Sequence, residues 1–152
     1  MNDFDEIEGV IVQPLKQIED PRGSVLHMLK KDSELFSHFG EIYFSEINPG
    51  VIKAWKRHKI QSQNITVPVN RIRLVIFDSR SYSKTQGKVK EYEIGRPDSY
   101  QLVHIPPMLW YGFQTLGEKT ALIANCPDLP HDPAEAESAS PDSKEIPYQW
   151  KK

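Results

Sequence analysis

The sequence contains a single cysteine, Cys126, so no internal disulfide can staple it. That thiol lies in an apolar run and reads as a buried, inert side chain rather than a nucleophile. No apolar stretch reaches the roughly 18 residues of a spanning helix, which argues against a membrane partner. The first eight residues, Met1-Asn-Asp-Phe-Asp-Glu-Ile-Glu8, are acidic where an export signal is basic and then apolar. A cytoplasmic protein is therefore expected, in which the sequon Asn64-Ile65-Thr66 has no consequence. An excess of one charge is also missing. Lys and Arg number 19 against 21 Asp and Glu, and the net charge of -2 gives no overall attraction to nucleic acid. There is no Gly-x-Ser-x-Gly elbow, Walker loop or dinucleotide fingerprint, which leaves serine-nucleophile, P-loop and dinucleotide chemistry without support. Nor does any segment sustain a helical period.

What is present is a series of short, β-branched and aromatic runs punctuated by Gly and Pro. At 152 residues the chain suits one domain, taken as 1–152. Residues 1–8 read as a polar arm. Gly9 to Ile18 and Ser24 to Leu29 flank Glu19-Asp20-Pro21-Arg22-Gly23, which predicts a hairpin with Arg22 near its tip. Asp32 to Phe36 has the makings of one helical turn capped by Asp32 or Ser33. Strand-like runs follow at Glu41–Ile47, Ile52–His58, Ile65–Val69, Ile72–Phe77, Lys88–Ile94, Tyr100–Ile105, Leu109–Leu116 and Thr120–Cys126. Seven or more strands at roughly ten-residue spacing predict an all-β antiparallel sandwich or barrel. Pro127 to Ser143 reads as an extended or partly helical surface segment, and the aromatics of Ile146-Pro-Tyr-Gln-Trp150 predict that residues 127–152 dock back on the body.

The run from Asn48 to His58 carries the chemistry. On a regular strand Ile52, Ala54, Lys56 and His58 share a face, so two nitrogen bases join an apolar surface. An ammonium there is costly to bury unpaired, so either this strand is a pocket floor or Lys56 and His58 lie near its end and reach water over an open rim. A jelly-roll metal site would offer His-x-His on such a strand. Here that pair is Lys56-Arg57-His58, the nearby carboxylate is replaced by Gln61 or Gln63, and the later His by Tyr111, so no metal is expected. Arg22, Lys53, Lys56, Arg57, His58, Lys59, Arg71 and Arg73 are candidates for gripping a diphosphate. Trp55, Trp110, Tyr111 and Phe113 are candidates for stacking on a base, or for core.

Five motifs occur together in order: Asp20-Pro-Arg-Gly23; Pro49-Gly-Val-Ile-Lys-Ala54; Asp78-x-Arg80 with Ser83, Thr85 and Gly87; Ile105-Pro106 with Gly112-Phe113; and Ile146-Pro-Tyr-Gln-Trp150. With them the chain resembles the dTDP-4-dehydrorhamnose 3,5-epimerases over nearly its whole length. The resemblance implies a cupin-type antiparallel jelly roll, a homodimer with N-terminal strand exchange, a nucleotide-diphosphate 4-keto sugar as ligand, and no cofactor. In that family a His held by an Asp removes the proton beside the ketone, and a Tyr returns one on the opposite ring face. Lys56 stands at the family's His, and Ala124 approximately at its Tyr. Tyr111 replaces the His of the Ile-Pro…His-Gly-Phe motif, and His27 the Glu after the Arg-Gly turn.

Two readings follow. In the first, Lys56 is the base or an enolate-stabilising cation, with a pKa lowered by burial and by Lys53 and Arg57, and Tyr111 supplies the proton. Arg22, His27, Lys53, His58 and Phe113 then hold the nucleotide sugar. In the second, the pocket binds a nucleotide sugar without turnover, as a sensor or partner subunit.

Overall fold

The computed structural model describes residues 6–151. Among the described residues twelve strands run in chain order: β1 (Ile11–Pro14), β2 (Gln17–Ile18), β3 (Val25–Leu26), β4 (Tyr43–Ile47), β5 (Ile52–His58), β6 (Gln63–Val69), β7 (Arg71–Asp78), β8 (Val89–Gly95), β9 (Gln101–Ile105), β10 (Leu109–Leu116), β11 (Ala121–Asn125) and β12 (Ala136–Ser138). Two five-stranded sheets form, in the orders β1-β9-β6-β11-β4 and β12-β5-β10-β7-β8, with β2 and β3 as a separate hairpin. Every pairing is antiparallel, as the alternating runs predicted, and the result is an all-β jelly roll.

The inner faces close on one core. Ile47, Ile65, Val67 and Ile123 of the first sheet meet Ile72, Leu74, Ile76 and Tyr111 of the second. The chain changes sheet between β6 and β7 at one residue, Asn70, whose φ of 61° is tolerated because an Asn side chain accommodates the left-handed region. Its amide donates to Thr120 O at 2.7 Å and fixes the corner.

The second sheet is covered on both faces. Outside it, Trp55, Val75, Phe77, Trp110 and Ile146 form a second apolar cluster, joined by Tyr148 and Trp150 of the C-terminal segment. Trp150 lies 5.1 Å from Trp55 between ring centroids, and Tyr148 approaches the same indole edge-on. Gly112 is where these layers come closest. A Cβ there would stand 2.5 Å from Ala54 Cβ and 2.9 Å from Trp150 Cζ2. Gly112→Ala is expected to cost about 1–3 kcal/mol by overpacking and to loosen Tyr111 and Phe113 on either side; thermal denaturation measures the first effect and ligand affinity the second.

Local differences from the sequence reading have physical causes. Residues 32–36 form turns rather than a helix, because Ser33 Oγ accepts from Leu35 N and no continuing ladder follows. The Pro-rich segment, expected to be extended or partly helical, holds one 3-10 turn, Pro133–Glu135, and then, beyond that expectation, pairs as β12 with the free edge of β5. Of the expected arm, residues 1–5 lie outside the described residues. Glu8 accepts from Lys84 N, and Glu6 from the Tyr92 hydroxyl.

The Asp78-x-Arg80 motif closes the loop after β7. Asp78 is fully buried and accepts from Arg80 Nε at 2.9 Å, Ser83 Oγ at 2.6 Å, Thr85 Oγ1 at 2.7 Å and Arg80 N at 3.0 Å. The motif is thus structural. No helix among the described residues is long and apolar enough to cross a membrane.

Candidate active site

Strand β5 does not alternate regularly. Opposite β10, Lys56 pairs with Tyr111 and Lys53 with Phe113, and the register shifts between them. The extra residue in β5 changes the phase of the pleat. Lys53 and Lys56 consequently border the inner cavity, whereas Ile52 belongs to the opposite, outer surface with the C-terminal segment. The regular alternation predicted from sequence put Ile52 with Lys56, and the bulge corrects it.

The cavity measures about 350 Å³. Tyr43, Ser45, Ile65, Ile123 and Asn125 contribute from the first sheet and the sheet-edge strand β4; Lys53, Lys56, Tyr111, Phe113 and Ser138 contribute from the second. A larger open depression of about 580 Å³ lies between Ile52 and residues 141–150, but its only charged lining groups are Asp142 and Lys144. The inner cavity has the buried polar chemistry.

Behind its wall lies a three-residue chain. His58 is 5% exposed; its Nδ1 bonds Glu135 Oε1 and its Nε2 lies 3.0 Å from the Tyr111 hydroxyl. Glu135 Oε2 also accepts from the amides of Ile60 and Gln61, each at 3.2 Å. Burial pushes the Glu135 carboxyl up, but the hydrogen bonds from His58 and from these amides outweigh it and hold the group below its ordinary range. Burial pushes His58 down, with Lys56 and His131 acting in the same direction against the pull of Glu135. The stable form is therefore carboxylate beside neutral imidazole. A carboxylate only accepts, so Nδ1 carries the hydrogen and Nε2 is left to accept from Tyr111 O–H. Burial raises the Tyr111 phenol well above its usual value and keeps that proton in place.

The elements that place these groups are readable. β10 carries Tyr111 inward between apolar Leu109 and Phe113. Asp132 caps the short turn by accepting from Ala134 N at 3.0 Å, and Pro133 starts it. Glu135 thus arrives beside His58 as β12 begins pairing, Ala136 opposite His58.

Of the sequence-predicted residues, Lys56, Tyr111, Lys53 and Phe113 meet at the cavity. His58, expected to contact the ligand directly, is not among the lining residues; both its ring nitrogens are engaged, and it reaches the cavity only through Tyr111. Arg22 and His27 are not among the lining residues. The Arg22 side chain is 89% exposed and turned back onto Asp20, with Nε 2.7 Å from Oδ1, while His27 borders a different depression beside Lys16 and Ser33. Trp55 belongs to the outer cluster and also borders the cavity, whereas Trp110 packs outside the sheet with Arg57 stacked over it at 4.5 Å. Sequence reading missed Glu135, Tyr43 and Asn125. The signal for Glu135 was Asp132-Pro-Ala-Glu135, a cap, a first-turn proline and an acid three residues on. Among the described residues no three His, Cys, Asp or Glu side chains converge as metal ligands.

The family model for dTDP-4-dehydrorhamnose 3,5-epimerase matches residues 5–152. The chain is 33% identical over 142 residues to the spore coat polysaccharide biosynthesis protein SpsL of Bacillus subtilis, covering 93% of this chain and 90% of that one. It is 33% identical over 144 residues to a probable low-salt glycan biosynthesis epimerase of Haloferax volcanii, covering 93% and 88%. The crystal structure of a dTDP sugar isomerase from Desulfovibrio desulfuricans superposes with a TM-score of 0.93 at 49% identity, over 95% of this chain and 92% of that one.

Proposed function

Because the chain belongs to the dTDP-4-dehydrorhamnose 3,5-epimerase family, we propose that it inverts a carbon beside the ketone of a nucleotide-diphosphate 4-keto sugar, in deoxysugar or surface-polysaccharide biosynthesis. The observation that carries this reading is the Glu135–His58–Tyr111 chain ending on a cavity whose wall also holds Lys56. A ketone acidifies its α-protons, and removing one requires a base whose acquired proton has somewhere to go.

Tyr111 meets that requirement. Its oxygen takes the α-proton as its own proton passes to His58 Nε2, and Glu135 stabilises the imidazolium that results. The C–H electron pair moves into the enolate, whose oxygen lies beside the Lys56 ammonium, on the neighbouring strand in register with Tyr111. Of the two roles open to Lys56, the geometry favours the cation over the base, because Tyr111 already has a buried proton acceptor behind it. The Glu135–His58–Tyr111 chain supports turnover over binding alone, the reading that Lys56 and Ala124 at the family's His and Tyr positions would favour.

Lys53 lies at the mouth, its Nζ donating to Glu46 O at 2.5 Å and near Ser45 Oγ at 3.3 Å, and it is the cation assigned to the diphosphate. Lys53→Ala is expected to weaken dTDP binding about tenfold to a hundredfold, the equivalent of one charge-assisted hydrogen bond of about 1.5–3 kcal/mol, by calorimetry. The exposed apolar side chains Phe39, Ile42 and Phe44, on and beside edge strand β4, support a homodimer, checked by sedimentation.

The decisive test is solvent deuterium uptake by dTDP-4-keto-6-deoxyglucose. Incorporation beside the ketone by the wild-type protein is the expected result. Binding without uptake between pH 6 and 9 would refute the epimerase reading and leave a nucleotide-sugar-binding protein.

A further inference from the structure

Inversion needs proton transfer on two faces of the sugar ring, and Tyr111 accounts for one. Across the cavity, on the other sheet, stands a second phenol. Tyr43 lies on β4, in register with Asn125 of β11, and both line the cavity. Tyr111 lies on β10 of the facing sheet.

The two hydroxyls are wired in opposite senses. Tyr111 spends its O–H on His58. Tyr43 is the end of a buried chain of amides whose direction is fixed at its far end. Gln61 Nε2 donates to Leu129 O at 2.7 Å, and a backbone carbonyl can only accept. The Gln61 carbonyl is thereby left to receive Gln63 Nε2 at 2.7 Å, and the Gln63 carbonyl to receive Asn125 Nδ2 at 2.6 Å. That same Asn125 amide group donates to the Tyr43 oxygen at 2.8 Å. Gln61, Gln63 and Asn125 are only 3%, 1% and 4% exposed, so water does not scramble the order.

Two consequences follow. The Tyr43 oxygen is an acceptor, and no acceptor for its own proton occurs among the described residues, which leaves the O–H free to turn into the cavity. The Asn125 Oδ1, next to it in the wall, is buried without a partner. A buried acceptor left open on a cavity wall suits a ligand hydroxyl.

We propose that Tyr43 is the second proton-transfer residue of this site, delivering its proton to the ring face turned away from Tyr111 while Asn125 Oδ1 receives a sugar hydroxyl. This rests on the epimerase reading above. After Tyr111 has taken the α-proton, the enolate carbon forms its new C–H bond with the Tyr43 proton. The O–H electron pair stays on Tyr43 as phenolate, stabilised by the Asn125 N–H, and water restores both tyrosine and His58 to their starting states. Burial raises the Tyr43 phenol and the Asn125 bond pulls it back, which fits a group that must hold its proton until the enolate forms.

The test is Tyr43→Phe, which preserves the ring and removes only the hydroxyl, assayed with dTDP-4-keto-6-deoxyglucose in D2O beside calorimetry with dTDP. Inversion should fall by about a hundredfold or more. Deuterium should still enter the substrate without inversion, by way of Tyr111 and His58, at a rate within about tenfold of wild type, and dTDP affinity should stay within about twofold. Asn125→Leu should slow inversion as well, because the phenolate loses its donor. Inversion by Tyr43→Phe at the wild-type rate would overturn the proposal, and so would loss of inversion and exchange together. A wild-type protein with neither exchange nor inversion would instead defeat the epimerase reading itself.

Discussion

Tyr111→Phe should lower deuterium uptake from solvent into a 4-keto sugar nucleotide by about 10²–10⁴-fold, the range for a positioned proton-transfer group. The change removes one oxygen and leaves the ring, so the core formed with Ile76 and Phe113 keeps its volume. Only the link between substrate and His58 is cut. Calorimetry should find dTDP affinity unchanged, and uptake at the wild-type rate would remove the relay. The pH profile supplies an independent check. The relay needs neutral His58, so activity should rise with pH through the folded-state value of His58, which lies below the ordinary 6.5. Lys56 is one of the charges holding it down. Lys56→Met should therefore slow turnover, by about 10²–10³-fold for a lost electrostatic stabiliser, and also move the acid limb to higher pH. Were Lys56 the base, the same substitution would abolish exchange and leave no limb to move.

The largest effect on stability is expected at Asp78. Asp78→Ala removes the carboxylate partner of Arg80, whose side chain is 8% exposed and keeps only Glu8 O and Ser83 Oγ, and deprives Ser83, Thr85 and the Arg80 amide of their bonds to Asp78. Removing one partner of a buried ion pair costs about 3–5 kcal/mol. For a chain of this size the midpoint of thermal unfolding should fall by on the order of 10 °C. The pH dependence has a definite sign. Burial pushes the Asp78 carboxyl up, but Arg80, Ser83 and Thr85 together bring it down to about 2. A depressed carboxyl contributes stability that is complete above the unfolded value of 3.8 and is lost as pH falls through about 2. Wild type should lose stability across that window, and Asp78→Ala should lack this component.

Much of the fold was legible because sheets write a period of two and break it with Gly and Pro. Leu109–Leu116 is the plainest case, with strand and apolar run coinciding. The Asp78 motif was also legible as one of the five ordered motifs, and its geometry is that of a loop clamp. The site was half legible. Lys56 and Tyr111 announced themselves as polar groups in apolar strands, yet no local signal reveals the register shift between Lys53 and Lys56, which arises only from pairing with β10. Glu135 comes from a segment 77 positions beyond His58, and long-range closure of that kind leaves no periodic trace. Tyr43 was visible as an alternating strand residue. What gives it meaning is a row of amides from Gln61, Gln63 of β6 and Asn125 of β11, and such a row exists only once those strands lie side by side.

The double coverage of the second sheet bears on how this protein can be altered. Strand β5 faces the cavity on one side and the Trp55–Trp150 cluster on the other, and both its edges are occupied, by β10 and β12. Almost every substitution in it disturbs two environments at once. Strand β4 ends its sheet, with one edge free, and its Phe44 is 64% exposed while Tyr43 and Ser45 reach the cavity. In a saturation library β5 should therefore be nearly invariant, whereas in β4 tolerance should be confined to positions such as Ser45, away from Tyr43 and the buried Ile47, and a redesign for a different sugar should begin at Ser45 rather than at Lys56.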